Sequence, residues 1–304
     1  AVTPAITHPA APDRSLFFVA DPPHLLKNLW NCVLKHKITL NKETVSKYHL
    51  PSNIVDYRYI TQLIDLQQGH ELRVAHKLKY CHVSPTQYEK MRVSLAAQFF
   101  SRSTASALEL CVRLELLPRD ALTTAWFLSF VNDWFDAMNA RHKDAALYKG
   151  ESNAKVEVLH EMLYVIQDLQ FSGRRLWKPV QAGIQLSTTV VLQLSGQVMR
   201  DYNLSYFLTG RCTQDSVENL FSQARDQGVQ HPSCTKFRQA LRLVTIAQYL
   251  QVNKGAAYDD DGCAYLVDYL KEAGTEFRLL DNEECLLPAL LAASDELLPE
   301  HSTA

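Results

Sequence analysis

Scarcity of glycine is the feature of this sequence that most limits its fold, because only 10 of its 304 residues are glycine. That share is about 3%, less than half of the ~7% found in average proteins. Glycine supplies the positive φ angles of tight turns, so a chain with few glycines has few such turns. Sandwiches and barrels need many of them. The composition therefore favours long helices, and 47% hydrophobic residues are enough for a sizeable core.

Composition also excludes several classes of protein. No run approaches 18 consecutive apolar residues, so no membrane span is predicted. The first residues lack a basic segment followed by an apolar one, so no signal peptide is predicted. Seven scattered cysteines without a CxxC pair are typical of free thiols in a reducing, intracellular compartment. Cys81 and His82 are interpreted as a core cysteine beside a surface histidine, because no second ligand pair completes a zinc site.

Apolar periodicity predicts helices through most of the chain. One begins at the proline pair that follows Asp21, since proline is tolerated in a first helical turn. Thr213 is interpreted as the N-cap of a later helix that ends near Gly228. Residues 187–198 (STTVVLQLSGQV) fit a strand or a helix equally well. The remaining predicted helices cover residues 93–107, 121–140, 156–166 and 237–252.

Asp21 follows residues 15–20 (SLFFVA), an apolar run of strand length. Because the run does not alternate, it predicts a strand buried on both faces, as in the centre of an α/β sheet. Ligands and metals gather at the carboxyl ends of such strands. Alternatively, Asp21 only caps the following helix, which stabilises it by about 1 kcal/mol. Periodicity by itself favours the cap.

Asp215 and Glu218 form the second pair of candidate residues. They are three positions apart on a predicted helix, so they share one face. That face lies away from the apolar stripe of Val217, Leu220, Phe221 and Ala224. Carboxylates in a first helical turn also suit the helix dipole without any further function. A functional interpretation is that they hold a metal or the polar edge of a base. The spacing does not decide between the two.

Common nucleotide and hydrolase motifs do not occur in this sequence. It contains no GxxxxGK[ST] phosphate loop and no GxGxxG dinucleotide fingerprint. It contains no GxSxG nucleophile elbow and no HExxH zinc motif either. A hydrolase or dehydrogenase of a standard family is therefore not expected.

Two long strings resemble hallmarks of the P element-type transposases: residues 18–29 (FVADPPHLLKNL) and 208–222 (LTGRCTQDSVENLFS). Between them, residues 90–98 (KMRVSLAAQ) and 135–139 (FDAMN) resemble the GTP-binding insertion domain of that family. The resemblance covers roughly residues 7–250, with the four motifs in order. Trp30 departs from it, because the family often has arginine there. The resemblance implies a mainly α chain in which a helical GTP-binding insertion domain interrupts a partial RNase H-like α/β fold.

The resemblance also implies roles for single residues. Asp21 matches the second aspartate of a DDE catalytic triad, and Glu218 matches its glutamate. Carboxylates of this kind hold the two Mg²⁺ ions that act on a scissile phosphate. Asp215 matches the position that contacts guanine, where a carboxylate can accept hydrogen bonds from N1–H and N2–H₂ together. The other matched positions of the GTP pocket are Lys77, Arg92, Val93, Phe135, Asp136 and Asn139.

The first triad aspartate has no match. Asp13 lies too close to Asp21 to be that residue, and the family's zinc-dependent DNA-binding domain is missing as well. We therefore interpret the chain as an N-terminally truncated, domesticated or fragmentary copy that does not perform strand transfer alone. The predicted segments are residues 1–40 (partial RNase H-like strand and helix), 41–207 (insertion domain), 208–254 (returning helices) and 255–304 (acidic tail).

The expected function is that of a nuclear, GTP-binding module of a P element-like transposase. The module meets transposon DNA only within a longer protein, and a homo-oligomer is left open. Two alternatives stay open: a non-catalytic interaction scaffold, and an active nuclease completed by an upstream segment.

Charge is divided unevenly along the chain. The formal net charge is -2, but residues 255–304 hold 12 acidic and 2 basic residues. The other 254 residues hold 29 basic and 21 acidic residues, a net of +8. The part of the chain that carries the motifs is therefore basic, which suits a protein that meets phosphates.

Overall fold

The computed structural model describes residues 3–69, 73–150, 154–172, 177–226 and 233–250. These ranges are mainly helical, as predicted. The α-helices are α1 (Pro22–Lys35), α2 (Lys42–Lys47), α3 (Arg58–Leu66), α4 (Val93–Phe99), α5 (Arg102–Arg113), α6 (Ala121–Met138), α7 (Ala154–Asp168), α8 (Pro179–Asp201), α9 (Asp215–Asp226) and α10 (Cys234–Leu250). Single 3₁₀ turns span Tyr80–His82, Glu89–Met91, Lys143–Ala145 and Thr209–Cys212.

Strands in the described ranges are short and form three small antiparallel sheets. The strands are β1 (Ala5–His8), β2 (Ala11–Phe17), β3 (Ile38–Thr39), β4 (Ile54–Val55), β5 (Leu147–Tyr148), β6 (Gln170–Phe171) and β7 (Tyr206–Phe207). β1 pairs with β2, β3 lies between β4 and β6, and β5 pairs with β7. These ladders tie distant parts of the chain together, since Ile38 lies opposite both Val55 and Phe171.

The chain divides into two compact units, Ala1–Gln214 and Asp215–Ala304. In the first unit, α1 packs against α4, α6 and α8, and α6 also packs against α5 and α7. Trp30 of α1 is fully buried, and its Nε1–H donates to the carbonyl oxygen of His82 over 3.0 Å. Trp134 of α6 is buried too, and its Nε1–H donates to Thr188 Oγ1 over 2.9 Å. Both indole N–H groups are thus satisfied inside the core, as buried tryptophan requires.

In the second unit, α9 packs against α10. The rings of Phe221 and Phe237 stack with their centroids 5.3 Å apart. Of the apolar stripe predicted on α9, Ala224 is buried, whereas Val217 and Phe221 are about half exposed. The predicted positions Gly228 and Val252 and the acidic segment 255–304 lie outside the described residues.

Residues 15–20 do not form the strand that the apolar run predicts. β2 begins earlier and ends at Phe17, and the neighbour it has in the described part of the chain is β1. Leu16 is 37% exposed and Phe18 is 46% exposed. The expectation of burial on both faces was therefore wrong. Burial depends on which elements cover a strand, and an apolar run does not specify those elements.

Two helix predictions also need correction. The helix predicted over residues 93–107 is broken at Phe100, because Ser101 is the N-cap of a new helix. The Ser101 hydroxyl accepts a hydrogen bond from the backbone N–H of Thr104 over 3.2 Å. The helix predicted from Thr213 begins at Asp215 instead. The Thr213 hydroxyl donates to the carbonyl oxygen of Gly210 over 2.8 Å. The ambiguous residues 187–198 are helical, within α8.

The interpretation of Cys81 as the buried residue and His82 as the exposed one was wrong. His82 is 1% exposed, whereas Cys81 is only partly buried. Both ring nitrogens of His82 have partners, with Nδ1 3.1 Å from the backbone nitrogen of Lys79 and Nε2 2.9 Å from Gln98 Oε1. A buried histidine is tolerated here because its polar atoms are satisfied.

No helix in the described ranges is long and apolar enough to cross a membrane.

Candidate functional site

Asp21 is the N-cap of α1, so the predicted cap is present, and its catalytic role stays a prediction. The helix begins with Pro22 and Pro23, which have no N–H group to satisfy. Asp21 Oδ2 accepts from the backbone N–H of His24 over 3.0 Å and lies 2.6 Å from His24 Nδ1. Asp21 Oδ1 accepts from the backbone N–H of Gln214 over 2.8 Å. The residue is 7% exposed, and its two oxygens share three nitrogen partners.

Ser187 of α8 fixes the backbone just before Asp21. Its hydroxyl accepts from the N–H of Ala20 over 2.8 Å and donates to the carbonyl oxygen of Ala20 over 2.7 Å. Ser187 is itself fully buried. Because both backbone groups of Ala20 are held by one side chain, the direction in which the chain enters Asp21 is set by α8.

Phe135, Asp136 and Asn139 lie in the last turns of α6. Phe135 packs partly buried against the core, and Asn139 is the C-cap of the helix. Asp136 Oδ2 accepts from Asn132 Nδ2 over 2.8 Å. Desolvation raises the pKa of the Asp136 carboxyl above its ordinary value, although the hydrogen bond from Asn132 acts in the opposite direction. The last turns of α6 therefore carry an aromatic ring, a carboxyl and an amide within five residues.

Residues 208–214 are attached to the end of α6 by Thr209. The Thr209 hydroxyl accepts from the N–H of Ala140 over 2.9 Å and donates to the carbonyl oxygen of Ala137 over 2.7 Å. The N–H of Gly210 donates to the carbonyl oxygen of Ala140 over 2.9 Å. A Cβ at Gly210 would lie only 2.9 Å from that same oxygen. Glycine is thus required because the two backbones approach closely.

These contacts bring parts of three predicted motifs together. Residues 208–214, the part of the string 208–222 that lies in the first unit, are anchored to the end of α6 through Thr209, and they reach the string 18–29 through the hydrogen bond from Gln214 to Asp21. The string 135–139 is part of the same arrangement, because Ala137 supplies one of the bonds to Thr209. The sequence predicted the order of these strings, and the fold joins them.

The remaining predicted positions of the first unit lie elsewhere on its surface. Lys77 is exposed in a turn that precedes the Tyr80–His82 helix. Arg92 is exposed at the N-cap of α4, and Val93 is the first residue of that helix. Arg92 lies within electrostatic range of Glu89, where it lowers the pKa of the Glu89 carboxyl after the larger effect of hydrogen bonds from Thr86. Their role as nucleotide ligands stays a prediction.

Asp215 and Glu218 lie in the first turn of α9, in the second unit. Asp215 is partly buried and Glu218 is exposed. Both carboxylates have polar or electrostatic partners. Their predicted roles, guanine contact and catalytic carboxylate, remain predictions.

Ser187, Thr209 and His24 were missed by the sequence analysis, although they position the predicted residues. His24 carried a usable signal, because the third residue after an N-cap aspartate is placed to interact with it. Thr209 and Ser187 carried none, since their partners lie 69 and 167 residues away in the sequence.

The described residues do not by themselves fit a magnesium site. They contain no cluster of three or more histidine, cysteine, aspartate or glutamate side chains that could hold a metal ion. At Asp21, both carboxylate oxygens already accept hydrogen bonds from backbone N–H groups. Mg²⁺ prefers several oxygen ligands in near-octahedral geometry.

Comparisons with known proteins identify relatives of the chain. The family "TNP-like, GTP-binding insertion domain" matches residues 24–151. The Drosophila melanogaster "Transposable element P transposase" is 27% identical over 249 residues, which cover 79% of this chain and 32% of that protein. The human "DNA transposase THAP9" is 25% identical over 136 residues, 44% of this chain and 14% of that protein.

A solved structure agrees with these sequence matches. The Drosophila P element transposase strand transfer complex superposes with a TM-score of 0.70 at 26% identity, covering 82% of this chain and 56% of that one. In sequence, the chain spans about a third of the length of the fly transposase that it matches.

Proposed function

Because this chain is related to the P element-type transposases and contains their GTP-binding insertion domain, we propose that it is the GTP-binding module of a P element-like DNA transposase. It acts on transposon DNA in the nucleus as part of a longer protein, and it does not carry out strand transfer by itself. The observation that carries the proposal is the bonded connection from the α6 end through Thr209 to Gln214 and Asp21.

The α6 end has the chemistry that a guanine nucleotide needs. Phe135 offers an aromatic face, and Asp136 and Asn139 offer oxygens that can accept from the N–H groups of guanine or the hydroxyls of ribose. Arg102 and Lys155 both lie within electrostatic range of the Asp136 carboxyl. Cations close to the site offset the charge of the phosphates.

GTP in this position has a structural role. Ligands that bind only the folded form stabilise it. A nucleotide bound at the α6 end stabilises the segment that Thr209 anchors, and that segment leads directly to Gln214 and the Asp21 cap. Binding is thereby coupled to the position of Asp21 without any requirement for GTP hydrolysis.

Isothermal titration calorimetry of the full chain with GTP, GDP and ATP tests this proposal. We expect binding of GTP and GDP and at least about tenfold weaker binding of ATP, which lacks the guanine N1–H and N2–H₂ donors. Asp136→Asn should weaken GTP binding. The matched control is Asp13→Asn, the same change at an exposed position of β2. The absence of GTP binding, or equal affinity for ATP, contradicts the proposal.

A second candidate is a non-catalytic interaction scaffold that has no ligand. The bonding of Asp21 favours it, because a carboxylate whose oxygens accept from backbone N–H groups has a sufficient structural role as a cap. The same calorimetry separates the two, since a scaffold without a ligand binds neither GTP nor GDP.

A further inference from the structure

The exposed face of α1 carries a basic stripe with no assigned role. Residues 24, 27, 31 and 35 are spaced by three or four positions and therefore share one face of the helix. The opposite face holds the buried apolar residues of α1, including Leu26, Leu29 and Trp30. We define the α1 basic stripe as His24, Lys27, Asn31 and Lys35, with Asn28 exposed beside them.

Charge on this stripe has one sign. The sequence of α1, PPHLLKNLWNCVLK, contains no aspartate or glutamate. A solvated helix face normally mixes both signs, because oppositely charged pairs at this spacing stabilise a helix. The acidic residue at its beginning, Asp21, is nearly buried and bound to His24. The stripe therefore presents the ammonium groups of Lys27 and Lys35 and the amide of Asn28 to solvent, whereas the Asn31 amide donates to the carbonyl oxygen of Lys27 over 3.1 Å.

Lys178, the N-cap residue of α8, extends the positive charge beside the end of the stripe. Lys178 and Lys35 both act on the Cys32 thiol, where they lower a pKa that burial raises more strongly. Helix α8 packs against α1, so both ammonium groups act on the same part of α1 although 143 positions separate them in the sequence. Like charges gathered by the fold raise the local attraction for an anion.

From this arrangement, we propose that the α1 basic stripe and Lys178 form a surface that binds the phosphate backbone of duplex DNA. The inference rests on the proposed function, in which the partner is transposon DNA. Lys27 and Lys35 are eight residues apart, about 12 Å along a helix. Each DNA strand has one phosphate per ~3.4 Å of duplex axis, so two ammonium groups about 12 Å apart can reach different phosphates of the same strand.

The chemistry of the stripe favours DNA over an acidic protein partner. Lysine ammonium groups and asparagine amides are donors that proteins use for phosphate oxygens. Protein interfaces bury apolar and aromatic residues at their centres, and the apolar residues of α1 point into the core. Contacts of this type bind DNA without regard to base sequence. The surface therefore holds and orients the duplex, and the stripe begins beside Asp21.

Fluorescence anisotropy with the full chain and a short labelled duplex tests the inference over a range of salt concentrations. The triple variant Lys27→Gln, Lys35→Gln and Lys178→Gln should bind at least about tenfold more weakly at low salt. It should also reduce the slope of log K against log salt by about 3, one for each lost phosphate contact. The loss should be the same for duplexes of unrelated sequence.

A matched variant removes the same charge elsewhere, with Lys42→Gln, Lys149→Gln and Lys236→Gln, all exposed in the parent chain. It should keep most of the salt slope. An equal loss in both variants, or an unchanged slope in the stripe variant, overturns the inference. So does binding of a polyglutamate peptide as tightly as duplex DNA, because that result identifies an acidic protein as the partner.

Calorimetry with GTP on the same variants separates this inference from the proposed function. GTP affinity should be unchanged in the stripe variant, and equal thermal unfolding temperatures show that it is folded. Loss of DNA binding without loss of GTP binding supports the stripe. A parent chain that binds DNA through the stripe but does not bind GTP contradicts the proposed function alone.

Discussion

The backbone N–H of Gln214 donates to Asp21 Oδ1 over 2.8 Å, although the two residues are 193 positions apart in the sequence. This bond joins the two motif strings, which lie near the beginning and the end of the first unit. Ser187 fixes the residue before Asp21 by hydrogen bonds to both backbone groups of Ala20. Asp21 is therefore positioned by three separate parts of the chain.

Thr209→Val should destabilise the fold. The Thr209 hydroxyl is fully buried and serves both Ala140 and Ala137, so the valine variant leaves a buried N–H and a buried carbonyl oxygen without this partner. Unsatisfied buried groups cost about 1–3 kcal/mol. Urea denaturation should show a lower free energy of unfolding by about 2 kcal/mol. Ser103→Ala, at an exposed position of α5, is the control and should be close to neutral.

Gly210→Ala should also destabilise, for a different reason. The new methyl group would lie 2.9 Å from the carbonyl oxygen of Ala140, which is backbone and cannot rotate away. Overpacking of this kind costs about 1–3 kcal/mol. Gly196→Ala is the matched control, because its nearest neighbour is the flexible end of Arg200 at 3.4 Å. Alanine in that helix interior should stabilise by roughly 0.5–1 kcal/mol. If the two variants unfold at the same urea concentration, the close approach at Gly210 has no energetic weight.

Asp215→Asn should change the preference for the base. On the proposed assignment, the carboxylate accepts from two N–H donors of guanine, and an amide replaces one acceptor by a donor. Losing a hydrogen bond to a charged group costs about 1.5–3 kcal/mol, so GTP affinity should fall by at least about tenfold. Xanthosine triphosphate has an oxygen where guanine has N2–H₂, so its affinity should rise. Competition calorimetry measures both, and an equal loss for the two nucleotides argues against base contact by Asp215.

Asp56 should make the stability depend on acid pH. Burial acts to raise the pKa of its carboxyl, but hydrogen bonds from Arg58 outweigh burial and hold the pKa below its ordinary value. A carboxyl with a lowered folded-state pKa stabilises the fold above its unfolded-state pKa. That stability is lost as the pH falls through the folded-state pKa. The difference in unfolding free energy between the parent and Asp56→Asn should therefore be largest near neutral pH and shrink below about pH 4. A difference that is constant with pH contradicts this assignment.

Asp136 should change the pH dependence of stability in the opposite direction to Asp56. Desolvation raises the pKa of its carboxyl, so the folded chain binds this proton more tightly than the unfolded chain does. Its contribution to stability then falls as the pH rises from the unfolded-state pKa through the folded-state pKa. Asp136→Asn should remove that decline while it weakens GTP binding. Urea denaturation from pH 4 to 7 measures it, with Asp13→Asn at an exposed position of β2 as the comparison.

Local patterns in the sequence predicted local features well. Capping chemistry and apolar period act within a few residues. They predicted the start of α1 at its proline pair, the buried residues of α1, and the extents of α6 and α7. The apolar run 15–20, the break at Ser101 and the positions of Cys81 and His82 were predicted wrongly. The burial of the run 15–20 and of Cys81 and His82 depends on which distant elements cover them, and apolar period does not contain that information. The break at Ser101 comes from a local cap that the apolar period does not reveal.

The sequence by itself determined that the chain is mainly helical, that its motif-bearing part is basic, and which strings resemble the P element-type transposases. Only the tertiary structure decided that Asp21 is a buried cap bonded to Gln214, that Thr209 and Ser187 hold the motif strings in place, and that Lys178 and Lys35 act on the same thiol. The physical reason is the range of the interactions. Helix formation and net charge follow from neighbours along the chain, whereas hydrogen bonds between distant residues exist only after the core has brought them together.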